Sequence, residues 1–193
     1  MQKEPAFTIT PLSKERWPDF EALLGPKGAY GGCWCMLWRL TKADFDRDAG
    51  DRNRQAMKAL AESDRPPGLL AYDKGRPVGW ISVAPRRTFV RLESSRVLKP
   101  VDDEEVWSVS CFLIAKSHRK QGLGIRLLKA ACDFVREQGG TILEGYPIAP
   151  TKRPYPAAYA WTGFASVFTR TGFEEVARRS ETRPIMRRNV AKA

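Results

Sequence analysis

Glu105-Val106-Trp107-Ser108-Val109-Ser110-Cys111-Phe112-Leu113-Ile114 runs directly into Ala115-Lys116-Ser117-His118-Arg119-Lys120-Gln121-Gly122-Leu123-Gly124. The first ten residues alternate at the start and close on a continuous apolar end, the pattern of a buried central strand. After a polar turn, Leu123, Leu127, Leu128, Ala131, Phe134 and Val135 fall on one stripe of a helix spanning residues 122–138. Gly139-Gly140 ends that helix. Ile142-Leu143-Glu144-Gly145-Tyr146 reads as another strand, so the centre of the chain is a strand-helix-strand unit.

On the N-terminal side, Phe7-Thr8-Ile9-Thr10 reads as a first strand, with Ser13 expected to cap a helix carrying Trp17, Phe20, Leu23 and Leu24. Gly25-Pro26 ends it. Residues 28–50 hold Gly, Cys and Trp without a clear period in their first part and are expected as a long loop. A helix over 51–63 follows, with Met57, Leu60 and Ala61 inward. Leu69 to Tyr72 and Val78 to Val83 form a hairpin through Asp73-Lys74-Gly75, and Pro85 stops it. Residues 84–104 read as a long basic loop; loops of this length in compact domains are functional or disordered. Beyond the centre, residues 147–156 read as a Pro-rich loop, 164–170 as a short helix stopped by Gly172, and 173–178 and 182–186 as a last antiparallel pair. The 193 residues show no internal repeat and read as a single α/β domain.

With 42% hydrophobic and 28% charged residues, the composition excludes disordered and collagenous classes. Lys and Arg number 33 against 22 Asp and Glu, a net charge of +11 that favours an anionic partner, most commonly a phosphate. Met1 to Phe7 contains no secretory pattern, and no stretch approaches the ~18 apolar residues of a membrane span. A cytoplasmic protein with no membrane contact is expected. Cys33, Cys35, Cys111 and Cys132 lack the spacing of a disulfide scaffold and are expected as reduced thiols. Cys33-Trp34-Cys35 is shorter than a zinc spacing and His118 is the only histidine, so no metal site is expected.

The chemistry lies in Arg119-Lys120-Gln121-Gly122-Leu123-Gly124. Glycine is about 7% of average sequence, so a Gly-x-Gly pair arises by chance about once in such a chain and carries weight only through position. Here it follows the best strand and opens the best amphipathic helix. The first amides of a helix have no internal partner and point outward with the positive end of the dipole, a ready pyrophosphate site. No Gly-x-x-x-x-Gly-Lys-Ser/Thr run occurs, and Leu127 stands where a dinucleotide fingerprint has its third glycine.

On these residues the chain resembles the GNAT superfamily of N-acetyltransferases, whose Arg/Gln-x-x-Gly-x-Gly/Ala loop is matched by Arg119, Gly122 and Gly124. Element order extends the resemblance over nearly the whole chain, to the Gly172-Phe173 pair before a late strand. It also resembles a bacterial branch of that superfamily with a Cys-x-Cys-Met segment, here Cys33-Trp34-Cys35-Met36, and a Thr-Arg-Pro-Ile-Met-Arg end, here Thr182 to Arg187. The resemblance implies a mixed, mostly antiparallel sheet with a splayed central strand pair and helices on both faces. It implies acetyl-CoA as donor, held by the amides of Arg119, Lys120, Gln121, Gly122, Leu123 and Gly124. The pantetheine would pair along Phe112, Leu113 and Ile114, and Ser166 would offer a hydrogen bond. An amine acceptor would attack the thioester directly, with a base removing its proton and a backbone amide holding the oxyanion.

Two positions depart from the family pattern. Phe168 stands where a tyrosine often protonates the leaving thiolate, and Trp161 where an asparagine is usual. Glu144, on the strand beside the cleft, is the first expected base and Glu105 the second; His118 lies in the phosphate turn, away from the thioester. Tyr146, Cys111 and the segment from Trp34 to Trp38 are expected to line or back the acceptor pocket, with residues 28–50 and 84–104 nearby. Two other functions stay open: an RNA-directed protein using Arg86, Arg87, Phe89, Arg91, Lys152, Arg153 and Tyr155, either as a binder or an acetyltransferase of aminoacyl-tRNA, and a non-catalytic acetyl-CoA sensor. The acceptor and the oligomeric state, a homodimer included, are left open by the sequence.

Overall fold

A computed structural model describes residues 7–151, 155, 156 and 159–191. Met1 to Ala6, Lys152 and Arg153 lie outside the described residues, and with them the N-terminal reading and part of the basic-aromatic reading. Among the described residues seven strands form one sheet: β1 (Thr8–Pro11), β2 (Gly68–Asp73), β3 (Arg76–Pro85), β4 (Trp107–Ile114), β5 (Ile142–Gly145), β6 (Glu174–Arg178) and β7 (Pro184–Asn189). Their order is β1-β2-β3-β4-β5-β7-β6, and every neighbouring pair is antiparallel except β4 with β5. The sheet is thus the mixed, mostly antiparallel α/β sheet expected.

Helices α1 (Trp17–Leu24) and α3 (Asp51–Ala61) contribute Trp17, Phe20, Leu24, Met57 and Ala61 to one core with Leu70 and Trp80. Helix α5 (Leu123–Glu137) contributes Leu123, Leu127, Leu128, Ala131, Phe134 and Val135 to a second core that takes in Ile81, Val83 and Val109. Apolar side chains of β3 enter both cores, which is why that strand reads as a nearly continuous buried run. Gly79 makes the packing close: a Cβ there would stand 3.1 Å from Leu123 and 3.2 Å from Leu127.

The parallel pair is short. β4 and β5 are in register only at Trp107 with Leu143, Ser108 with Glu144 and Val109 with Gly145. At that level the register of β3 against β4 jumps from Ser82–Cys111 to Val83–Val109, leaving Ser110 as the extra residue of a β-bulge. A bulge bends its strand, and here β4 parts from β5 beyond it. Helix α6 (Ala165–Thr169) closes one side of the gap by seating Phe168 on Gly145. A Cβ on Gly145 would stand 2.1 Å from the Phe168 ring, so Gly145→Ala is expected to cost about 1–3 kcal/mol through overpacking, read as a lowered urea midpoint at unchanged slope.

Three local expectations are corrected. Residues 28–50 are not loop throughout, because Thr41 caps α2 (Lys42–Arg47), accepting from the Asp44 amide at 3.2 Å. Residues 84–104 hold the end of β3, a turn of 3-10 helix at Arg86–Thr88 and α4 (Val90–Glu93), drawn in by the buried Phe89, Leu92 and Leu98. The Ser13 side chain makes no bond to the helix amides; its hydroxyl donates to Glu15 at 2.7 Å, and a 3-10 turn at Lys14–Arg16 precedes α1. Among the described residues no helix is long and apolar enough to cross a membrane.

Candidate active site

The turn before α5 is built to expose amides. Lys120 (φ 62°) and Gly122 (φ 79°) both take the left-handed conformation, which in alternation with ordinary residues gathers successive N–H groups into a concave nest. The first donors of α5 are Ile125 and Arg126, both onto the Gly122 carbonyl at 3.0 and 3.2 Å, so Leu123 and Gly124 precede the helical ladder. The turn is also held in shape: Gln121 Nε2 donates to the Ser117 carbonyl (2.8 Å) and Arg119 Nε to the Ile114 carbonyl (3.1 Å). Gly124 faces a recess between β4 and α6, where a Cβ would meet only Ile114 at 3.7 Å and Val167 at 3.8 Å. Ser166 is exposed on α6, the helix that forms that wall.

Arg119 to Gly124 therefore form one continuous cradle next to Ile114. The strand residues divide by direction. Leu113 is in register with Trp80, and the Ala115 amide donates to Val78 (2.9 Å), so the backbone of Leu113 faces β3. Phe112 and Ile114 face the gap. This corrects the reading of Leu113 as a pairing residue; its side chain packs instead with the α1 and α3 core. The Phe112 amide already donates to the Trp161 carbonyl at 2.5 Å, and the Phe112 ring meets Phe168 edge-on at 6.0 Å. Trp161, read in the sequence only as a departure from the family pattern, thus supplies a backbone acceptor inside the gap.

Glu144 lies on β5 with no exposed surface. Its Oε1 accepts from Arg86 Nη1 (2.9 Å) and from the Tyr146 hydroxyl (2.5 Å), and its Oε2 from Arg187 Nε (2.7 Å). Arg187 also pairs with Asp102 at 2.6 Å, while Arg86 reaches Glu93 and the carbonyls of Leu92 and Leu98. Burial, with the Glu144 charge beside it, raises the Tyr146 phenol well above its ordinary range, so it stays a donor. Tyr146 is correspondingly buried in this network, behind the strand surface. The carboxylate ties the 84–104 segment to the sheet.

Glu105 stands before β4 at the end away from the gap, 92% exposed and paired with Arg87 at 3.4 Å. Seven positions, about 23 Å of extended chain, lead from it to Phe112. His118 bonds Asp73 (3.1 Å) and Ser117 (2.9 Å), joining the hairpin turn to the cradle. Cys111 Sγ lies 3.9 Å from the buried Cys35 Sγ, and that contact together with burial lifts the Cys35 thiol well above its ordinary range. Phe168 is fully buried against Phe112 and Phe173. Of the basic-aromatic set, Arg86 and Phe89 are buried and so present no face to a nucleic acid.

An open strand pair with an amide cradle at its mouth suits a phosphate-bearing ligand laid along β4. The chain belongs to the acetyltransferase (GNAT) family, whose model matches residues 34–147. No curated protein matches the chain. Among solved structures it is similar to the ribosomal-protein-S18-alanine N-acetyltransferase from Escherichia coli, at 15% identity and TM-score 0.52 over 97% of this chain and 96% of that one. It is also similar to the PaiA N-acetyltransferase from Thermoplasma acidophilum in complex with coenzyme A, at 12% and 0.54 over 95% and 99%. YncA from Salmonella typhimurium, solved with its cofactor acetyl-CoA, matches at 16% and 0.54 over 97% and 96%. At these identities the likeness is one of fold.

Proposed function

We propose that this chain, acting as one domain, is an acetyl-CoA-dependent N-acetyltransferase that modifies a primary amine of a small molecule or a protein by direct attack in a ternary complex. The observation that carries this reading is the cradle of Arg119 to Gly124, opening beside the gap where β4 leaves β5. Its left-handed residues and unladdered amides suit a pyrophosphate, and the absence of a side chain at Gly124 leaves room for one. The related structures solved with coenzyme A and acetyl-CoA support the same donor. The four cysteines are free thiols, the state a reducing cytoplasm maintains.

Bound acetyl-CoA supplies a thioester, which an amine nitrogen opens with loss of a proton and departure of the thiol. The residues of this chain divide the work by position. Lys120, Gly122, Leu123 and Gly124 hold the phosphates, with the α5 dipole behind them. Phe112 and Ile114 direct their backbone into the gap and set the depth of the pantetheine arm; the Trp161 carbonyl must yield the Phe112 amide for that strand-like pairing to form. Cys111 and the 33–36 segment stand on the opposite face of β4, the side left to the acceptor. Glu144, with three donors already on its oxygens, acts as the counter-ion that fixes β5 beside the gap. Phe168 carries no proton to give, so the thiol of coenzyme A leaves without help from that position.

Incubation with acetyl-CoA and a panel of primary amines is expected to release free thiol only when an accepted amine is present, in proportion to N-acetyl product. Thiol release indifferent to every amine, with donor binding intact, would favour the non-catalytic sensor.

A further inference from the structure

Arg39 is buried to 8% exposure on the segment between α1 and α2, yet no carboxylate of the described residues pairs with it. Its Nη2 donates to the Pro67 carbonyl (3.1 Å), its Nη1 makes a long contact with Thr88 Oγ1 (3.4 Å), and the guanidinium lies over the Phe89 ring at 4.6 Å. Nε is buried with no acceptor. A guanidinium carries five N–H donors and loses much of its hydration on burial, so one left with two neutral acceptors lacks the anion that normally accompanies a buried charge. Burial pulls its pKa down to about 10, offset only in part by the neighbouring Cys35 thiol.

Arg39 borders a cleft of about 630 Å³ with largely apolar walls, including Met36, Leu60, Pro85 and Trp107. Asp64 and Arg65 sit exposed at its edge and cancel each other in charge. The cleft also borders Phe134 and Gln138, at the end of α5 remote from the cradle. The 15 residues of that helix put the two places about 22 Å apart. Of the residues the acetyl-transfer reading gives a role, only Met36, at the end of the 33–36 segment, also lines this cleft.

We propose that the cleft is a second ligand site that takes a small monocarboxylate with an apolar body, its carboxylate on Arg39 and its hydrocarbon against Met36, Leu60, Pro85 and Trp107. The acid supplies the anion that the guanidinium lacks, and the walls supply the burial that makes the pairing strong. A phosphate ester would gain the charge but waste the apolar walls.

The test is an NMR titration of the full-length ¹⁵N-labelled protein with hexanoate and, separately, with its uncharged isostere hexanamide, each with and without coenzyme A. Hexanoate is expected to shift the Arg39 Nε–H and Trp107 indole resonances saturably in both conditions. Hexanamide is expected to bind about tenfold more weakly or worse, since it forfeits a charge-assisted hydrogen bond. Arg39→Gln should lose the response to hexanoate, while the comparison of the two probes on the unmodified chain holds even if that variant folds poorly. Equal binding of the two probes, shifts confined to residues 119–124, or no shift at either reporter would overturn the proposal.

Discussion

Gly124→Trp is expected to lower acetyl-CoA affinity by about a hundredfold or more while leaving the chain folded. The reasoning combines two scales. Several charge-assisted hydrogen bonds from the cradle to a pyrophosphate, each contributing about 1.5–3 kcal/mol, are lost together when an indole occupies the recess. The fold tolerates the change because a side chain leaving Gly124 first meets only Ile114 and Val167 at ordinary contact distance, and the residue has an ordinary helical backbone. Gly124→Ala, which adds only a methyl group in contact with those two residues, serves as the control and should retain most of the affinity. Calorimetry with circular dichroism on the same samples separates the outcomes. Unchanged affinity in a folded Gly124→Trp would mean that the turn is not a phosphate cradle.

Glu144→Gln is expected to be the most destabilising conservative substitution at the site, by about 3–5 kcal/mol, because it removes the buried carboxylate that bridges Arg86 and Arg187. The amide keeps the shape and loses the charge: its oxygen still accepts from one guanidinium, while its NH2 turns a donor towards the other. Denaturant unfolding measures the loss directly. The same variant decides between a counter-ion and a base. As a counter-ion, Glu144 affects rate only through the folded fraction, and the pH profile of the surviving activity matches that of the unmodified enzyme. As a base, its loss would change the profile while stability held. Arg86→Met should reproduce the destabilisation from the other side, since it strips Glu144, Tyr146 and the Leu92 and Leu98 carbonyls of a shared donor.

Local signals carried the fold far. The stripe from Leu123 to Val135, ended by Gly139, gave α5 nearly to the residue, and its position after residues 105–114 gave the cradle. Helix α2 is not legible because its six residues contain one large apolar side chain, Phe45, beside the small Ala43; it is held by the Thr41 cap and by pairs such as Arg47 with Asp44, which leave no hydrophobic period. The partners of Glu144 were not legible for a different reason. Arg86 is 58 positions away and Arg187 is 43, and two arginines among 33 basic residues give no sign of which are buried. The same holds for Arg39. Leu113 was misassigned because a run of apolar residues does not reveal which backbone groups point to which neighbour; that depends on the register with β3. Charge and aromatic content likewise suggested a nucleic-acid face at Arg86 and Phe89 that folding turns inward.

The most direct test is a calorimetric titration of the nucleic-acid-free protein with acetyl-CoA at low and at moderate salt. A cradle of backbone amides backed by a helix dipole predicts micromolar, one-to-one binding that persists at moderate salt, since short contacts in a partly enclosed site are weakly screened. No binding at either salt concentration would contradict the assignment of the donor site to Arg119 through Gly124.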